Sequence, residues 1–169
     1  MLPFWKRTRG TKLTTDSDIR LQEMRSSLEA GGVALTPRRS RLLEVLITSD
    51  RHPTVGELHR EVRRSFPRTS LATIYNTIEL LKEAGQVLEI EFSGAANRYD
   101  GRRPKSHPHL VCIRCERIDD MDQLDHEPSF ADVSAATGYE IVSHRSEYFG
   151  ICPDCSRDTE STERRSRPG

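Results

Sequence analysis

Four cysteines fall in two Cys-x-x-Cys pairs, Cys112 with Cys115 and Cys152 with Cys155. Each such turn presents two thiolates to one ion, and two turns close a tetrahedron without an open position. That is a structural Zn(2+) site, whose contribution is folding energy. The other reading of Cys-x-x-Cys, a thioredoxin-like redox pair, needs an adjacent βαβ pattern that this sequence lacks. Two imidazoles, His107 and His109, stand just upstream of the first pair. Asp100 precedes them, and Asp119, Asp120 and Asp122 follow the first Cys pair. Neutral imidazoles with carboxylates suit Fe, Mn or Zn. His107 and His109 lie on an extended segment and are expected to need a turn or twist to reach one ion. Taken by themselves these residues are either a second metal site or surface groups near a linker. His52, alone in a loop, has no role on spacing.

The bulk of the chain limits what can hold such groups in place. Of 169 residues, 31% are charged and 34% hydrophobic, so apolar material is modest. A chain of this kind fits one domain or two small ones, and small domains lean on a metal or a partner subunit. No apolar run approaches the roughly 20 residues of a membrane span, and Met1–Arg7 carries no secretory core. The expectation is a cytoplasmic protein with no membrane association. In that reducing compartment paired cysteines point to metal rather than disulfides. Residues 1–85 carry five more basic than acidic side chains, and residues 86–169 five fewer. A basic half facing nucleic acid and an acidic half holding cations is one reading; an ordinary solvated surface is the other.

The periodicity supplies the scaffold. Residues 1–15 lack a pattern and read as a flexible arm. From Asp16 a helix runs to Gly31-Gly32, with Ile19, Met24 and Leu28 inward. Thr36 and Pro37 begin a second helix as N-cap and first position, with Leu42, Leu43, Val45, Leu46 and Ile47 buried. Thr54 and Glu57 form a capping box for a third, which buries Val55, Leu58 and Val62 and stops before Pro67. Thr69 or Ser70 caps a fourth, Leu71–Leu81, ending at Gly85. Val87–Phe92 alternates as a strand, Ser93–Asn97 turns, and Arg98–Asp100 returns.

Short helices followed by a two-stranded hairpin outline a winged helix-turn-helix, in which the last helix enters the major groove. On that helix Leu71, Ile74, Ile78 and Leu81 make an apolar stripe. Ser70, Thr73, Tyr75, Asn76 and Thr77 then face elsewhere, with chemistry suited to base edges and thymine methyls. Arg38, Arg39, Arg64 and Arg68 flank them as phosphate contacts. A merely polar exposed face is the alternative.

The expected fold class is α+β: a winged-helix domain over 16–100, a linker over 101–106, and a small α/β dimerisation and metal-binding domain over 107–155. In the last, His109–Ile113 and Arg117–Asp120 form a hairpin, Phe130–Ala136 a helix and Tyr139–Phe149 a strand. Residues 156–169 read as a disordered tail.

These motifs resemble the ferric uptake regulator family. The resemblance rests on Leu35-Thr36-Pro37-Arg38-Arg39, His52-Pro53-Thr54, Ala72-Thr73-Ile74-Tyr75-Asn76 and Asn97-Arg98-Tyr99-Asp100. His107-x-His109-x-x-Cys112-x-x-Cys115 and Gly150-x-Cys152-x-x-Cys155 follow in the family's order. The match covers roughly residues 20–156. It implies a homodimeric, metal-dependent DNA-binding repressor acting on an A/T-rich palindrome of double-stranded DNA, and not an enzyme.

Within the family the chain is most similar to the peroxide-responsive branch. That similarity implies a regulatory Fe(2+) or Mn(2+) site of His52, Asp100, His107, His109 and Asp120, with Asp119 the alternative to Asp120. It also implies that His52 and His107 are the oxidation-sensitive ligands, whose modification releases the metal and the DNA. The iron-sensing branch usually has Glu at both carboxylate positions and Arg where Asn76 stands. Glu116 occupies a place where the family commonly has Gly. His126, Glu127, His144 and Glu147 are candidates for an additional site of some members. Two other readings are carried forward: an iron- or manganese-sufficiency repressor of the same family, and a metal-binding redox or metallochaperone protein without DNA binding.

Overall fold

Three side-chain caps start the helices of the first half where the sequence places them. Thr36 accepts from the Arg39 N–H, Thr54 from Glu57 and Ser70 from Thr73. Thr54 and Glu57 complete a reciprocal capping box, satisfying two N–H groups that the helix cannot. A computed structural model describes residues 13–91, 96–122 and 128–157. Its helices there are α1 (Leu13–Ala30), α2 (Pro37–Thr48), α3 (Val55–Ser65) and α4 (Leu71–Glu83). A hairpin of β1 (Leu88–Ile90) and β2 (Arg98–Asp100) follows, antiparallel with Leu88 opposite Asp100. Then come β3 (His109–Cys112), β4 (Ile118–Asp120), α5 (Phe130–Thr137) and β5 (Glu147–Gly150). The chain divides after Pro104 into a helical unit and a strand unit.

The helical unit is built on one apolar core. Met24 and Leu28 of α1 meet Leu42, Leu43 and Leu46 of α2, Leu58 and Val62 of α3, and Ile74, Ile78 and Leu81 of α4. Val87 and Tyr99 of the hairpin region complete it. Two positions of the expected apolar faces are not in this core. Ile19 is 59% exposed and Leu71 43% exposed: at 3.6 residues per turn Ile19 lies on the face of α1 opposite Met24 and Leu28, and Leu71 lies at the edge of the α4 stripe. Thr77 reverses the other way: it is fully buried rather than facing outward. Its hydroxyl donates to the Thr73 carbonyl at 2.7 Å, which removes the cost of burying it.

The strand unit is a three-stranded sheet in the order β4-β3-β5. β3 pairs antiparallel with β4, placing His109 opposite Asp120, and parallel with β5, placing Cys112 opposite Gly150. α5 is closed by Ser129 and Asp132 as a capping box and by Gly138 at φ 76°. The strand expected over Tyr139–Phe149 forms only at Glu147–Gly150. Its first half has no described strand partner, and an extended segment needs one to become a ladder. Phe92, the turn at Ser93–Ala95, the arm at 1–12, the pair His126 and Glu127, and the tail from 158 lie outside the described residues.

Candidate metal centres and DNA-facing surface

The tight turns around β3 bring the four thiols together. One ligand atom from each of Cys112, Cys115, Cys152 and Cys155 lies within 4.8 Å of every other. Cys115 Sγ and Cys152 Sγ are 3.7 Å apart. A tetrahedron with Zn–S bonds of about 2.3 Å has sulfur–sulfur edges of roughly 3.8 Å. The donor set therefore fits one zinc ion. The Cys152 N–H donates to Cys112 Sγ at 3.3 Å. Backbone N–H groups of Cys115 and Cys152 hold the Cys112 thiol down to about 6. Cys155, beside the sulfurs of Cys152 and Cys115, is pushed up to about 12. One thiolate is thus prepared by the backbone, and loading an ion must displace the proton of Cys155. Glu116, just beyond the first pair, sits at φ 57°. The turn needs a left-handed residue there, which is the physical reason a glycine suits the position.

On the same unit His107 and His109 share a face. Their ring centroids are 4.4 Å apart. No extra turn is required, contrary to expectation, since positions two apart on an extended chain point the same way. His107 Nε2 lies 3.1 Å from Asp120 Oδ1, and His109 Nε2 lies 3.9 Å from the same oxygen. His107 Nδ1 is 2.8 Å from the Lys105 carbonyl. A carbonyl only accepts, so Nδ1 carries the proton and Nε2 is the atom aimed at Asp120. Asp119 is directed away: Arg117 Nε donates to it at 2.9 Å, and Arg117 also reaches Asp154 at 2.8 Å. Of the two neighbouring aspartates only Asp120 faces the imidazoles. His144 stacks edge-on against Phe130 at 5.3 Å, and Glu147 lies 3.4 Å from Arg145 Nε.

The helical unit carries its own pair. His52 Nε2 lies 3.7 Å from Asp100 Oδ2, and both side chains are buried. His52 adopts φ 45°, an uncommon conformation for a residue with a Cβ. The loop is held there by β2: the Tyr99 N–H donates to the Pro53 carbonyl at 3.1 Å, and Thr54 bridges to Arg98. Asp100 Oδ1 accepts from the N–H groups of Arg102 and Arg103 at 2.7 and 3.0 Å. That leaves Oδ2 as the oxygen turned toward His52. An imidazole and a carboxylate at this spacing can serve as adjacent ligands of a hard or borderline divalent ion.

α4 presents Tyr75, 48% exposed, with Asn76 and Ser70 also exposed and Thr73 half-buried. Ser70 and Thr73 hydroxyls bond each other at 2.8 Å, so Ser70 is committed to its cap. A cleft of about 430 Å³ lies between Thr36, Pro37, Arg38, Arg39, Phe66 and Thr73. It joins the N-terminus of α2, where backbone N–H groups favour anions, to the exposed face of α4. Arg38 and Arg68 are exposed, and Arg39 Nη1 is tied to the Ala34 carbonyl at 2.8 Å. His59 is half-buried, donating from Nε2 to the Thr69 carbonyl at 2.9 Å. It braces the turn that leads into α4.

Sequence reasoning did not find a network at the base of the hairpin. Lys82 of α4 meets Glu89 of β1 at 2.5 Å. The same carboxylate accepts from Asn97 at 2.8 Å and Tyr99 at 3.0 Å. Burial acts to raise Glu89, but its bonds to Lys82, Asn97 and Tyr99 outweigh that and hold it below the usual carboxylate range.

A winged helix followed by a small sheet with a tetrathiolate and imidazole–carboxylate clusters defines a metal-binding, DNA-binding regulator. Residues 30–149 match the Ferric uptake regulator family, and the chain belongs to it. It is 34% identical over 143 residues to the peroxide-responsive repressor of Staphylococcus epidermidis, covering 83% of this chain and 93% of that one. Among solved structures, the Helicobacter pylori ferric uptake regulator aligns with TM-score 0.69 at 22% identity, covering 87% and 97% of the two chains. The Campylobacter jejuni peroxide stress regulator aligns with TM-score 0.56 at 26% identity, covering 80% and 98%.

Proposed function

We infer that this chain is a metal-dependent transcriptional repressor that senses hydrogen peroxide. The observation that carries the reading is the 34% identity to a peroxide-responsive repressor across 83% of the chain. The donor chemistry supports it. Four thiols suit a permanent Zn(2+). The pair His52 and Asp100, with the trio His107, His109 and Asp120, offers three imidazoles and two carboxylates for one exchangeable Fe(2+) or Mn(2+). A metallochaperone without DNA binding would leave the exposed side chains of α4 and the cleft at Arg38 and Arg39 without a use.

We propose that all five residues hold one regulatory ion. His52 and Asp100 belong to the DNA-binding half and the other three to the second half. Shared ligation then selects the arrangement in which two recognition helices of a homodimer meet successive half-sites of an A/T-rich palindrome. Exposed Tyr148, Phe149 and Ile151, on and just after β5, give the strand unit an apolar surface suited to a second copy. Bound Fe(2+) supplies the chemistry that activates hydrogen peroxide. The net change at the protein is one peroxide oxygen added to an imidazole carbon of His52 or His107, the other leaving as water. An oxygenated imidazole is a weaker donor, so the two halves are no longer held together. No described helix is long and apolar enough to cross a membrane; a repressor acting on its operator would work in the cytoplasm with its DNA. It turns over no substrate.

Fluorescence anisotropy with an A/T-rich palindrome, with and without Mn(2+), tests this reading. Binding that needs Mn(2+) is expected. His109→Ala should stay folded and zinc-loaded yet lose the Mn(2+) dependence. Peptide mass spectrometry of the Fe(2+) form after peroxide should find 16 Da added at His52 or His107, a mass set by one oxygen. Persistent DNA binding after peroxide with unmodified histidines would refute peroxide sensing.

A further inference from the structure

The hairpin that carries Asp100 is fastened at both feet by a single side chain of α1. Arg20 Nε donates to the Gly101 carbonyl at 2.9 Å. Its Nη1 donates to Gln86 Oε1 at 2.5 Å and its Nη2 to the Gln86 carbonyl at 2.5 Å. Gln86 comes just before β1, and Gly101 just after β2. The planar guanidinium therefore spans the entry and exit of the hairpin, with Glu23 at 3.0 Å closing the set. The side chain is only 11% exposed although it is an arginine on the first helix. Burying that head is costly unless its donors are used, and here all three nitrogens donate.

The residue it holds is packed closely against the core. A Cβ at Gly101 would come within 2.9 Å of Met24 Cε and 3.0 Å of Leu46 Cβ. Gly101 is thus seated directly on the α1–α2 core. Asp100 is covalently next to it. One Asp100 oxygen is consumed by the N–H groups of Arg102 and Arg103 in the turn that starts there. The aim of the other oxygen at His52 then depends on where that turn sits. A metal ligand must be held within about 0.5 Å of its productive position, and the 100–103 turn has no other buried arginine donating to it among the described hydrogen bonds.

We infer that Arg20 is a positioning residue for the regulatory ion: through Gly101 and Gln86 it fixes the Asp100 carboxylate. The inference rests on the proposed role of Asp100 as a ligand. Lysine cannot replace it. A single ammonium cannot hold two carbonyls and an amide in one plane.

The test uses full-length, zinc-loaded protein and Mn(2+) as the probe. Three proteins are compared: the parent, Arg20→Lys and Arg25→Lys. Arg25 is a matched control on the same helix, 3.9 Å from Glu44. Arg20→Lys should weaken Mn(2+) binding on the order of 10-fold, the size expected for losing a group behind a ligand. It should also change the electron paramagnetic resonance line shape of the bound ion. Arg25→Lys should change neither. Parent-like affinity and line shape in Arg20→Lys overturn the inference and leave the proposed function standing. Equal loss in Arg25→Lys overturns it too, as general loosening of α1. A parent protein that binds no Mn(2+) beside its zinc overturns the proposed function and this inference together. Should Arg20→Lys lose its helical content, Gln86→Met, which removes one acceptor of the clamp, is judged by the same two readouts.

Discussion

The helical unit and the strand unit solve the same stability problem with different materials. In the first, fifteen buried apolar residues form one cluster spanning all four helices and the hairpin. In the second, the buried apolar residues among those described are Val111, Cys112, Ile118 and Cys152, two of them cysteines of the four-thiol cluster. α5 buries none of its side chains. Unit one can exclude water by itself. Unit two buries few apolar side chains among its described residues, and the proposed ion and second copy would contribute what a core does. The proposed permanent metal falls in the unit with the smaller core, and the proposed DNA-reading unit has an apolar core of its own.

The sharpest way to break this contrast is to remove zinc. Chelation, or Cys112→Ser, should abolish amide protection across β3, β4 and β5 while α2, α3 and α4 remain protected by hydrogen exchange. Structural zinc contributes about 10 kcal/mol or more in small metal-held domains, more than this sheet can replace. Simultaneous loss of protection in both units would show that the helical core depends on the metal after all.

Leu58→Ala examines the other side. Leu58 of α3 is fully buried in the helical core, and its truncation should cost about 2–5 kcal/mol. Urea unfolding followed by helical signal should shift accordingly, with zinc content unchanged. A variant that lost zinc as readily as it lost helix stability would erase the distinction between the units.

Of all this, the helical unit was the more legible. Thr36, Thr54 with Glu57, and Ser70 announced helix starts because a capping side chain acts within three residues. Thr77 departs from expectation for the same reason that caps are readable: hydroxyls bond local carbonyls, and on α4 that bond lets a polar residue go inward. In the strand unit the donor types are legible and their geometry is not. Choosing between Asp119 and Asp120 required the position of Arg117, which claims Asp119. The Arg20 clamp had no signal at all, since an arginine on an amphipathic helix ordinarily reaches water and its partners lie 66 and 81 residues away.

Acid should separate the units more gently. Glu89 has its carboxylate held low by Lys82, Asn97 and Tyr99. A depressed carboxylate adds stability above its ordinary range, and that stability disappears as pH falls through the folded value. Glu89→Gln should therefore destabilise the helical unit at neutral pH and match the parent below that point. A constant difference down to pH 3, read from thermal melts of the helical signal, would mean packing and not charge holds the hairpin base.

The smallest expected effect lies in the strand unit. Glu116→Gly relieves a left-handed residue at φ 57° and should stabilise the zinc-loaded sheet by about 1 kcal/mol. The check is a higher urea midpoint for strand-unit unfolding with the helical unit unmoved.

β3 also carries a counting rule. His109 and Cys112 are three positions apart, an odd number, so an alternating strand sends them to opposite faces. Even separation would crowd imidazole and thiolate onto one side, where a soft, tightly binding ion would capture both. One inserted residue between them would turn Cys112 to the imidazole face and away from the other three thiols. Parity along four residues is what keeps the two donor sets apart.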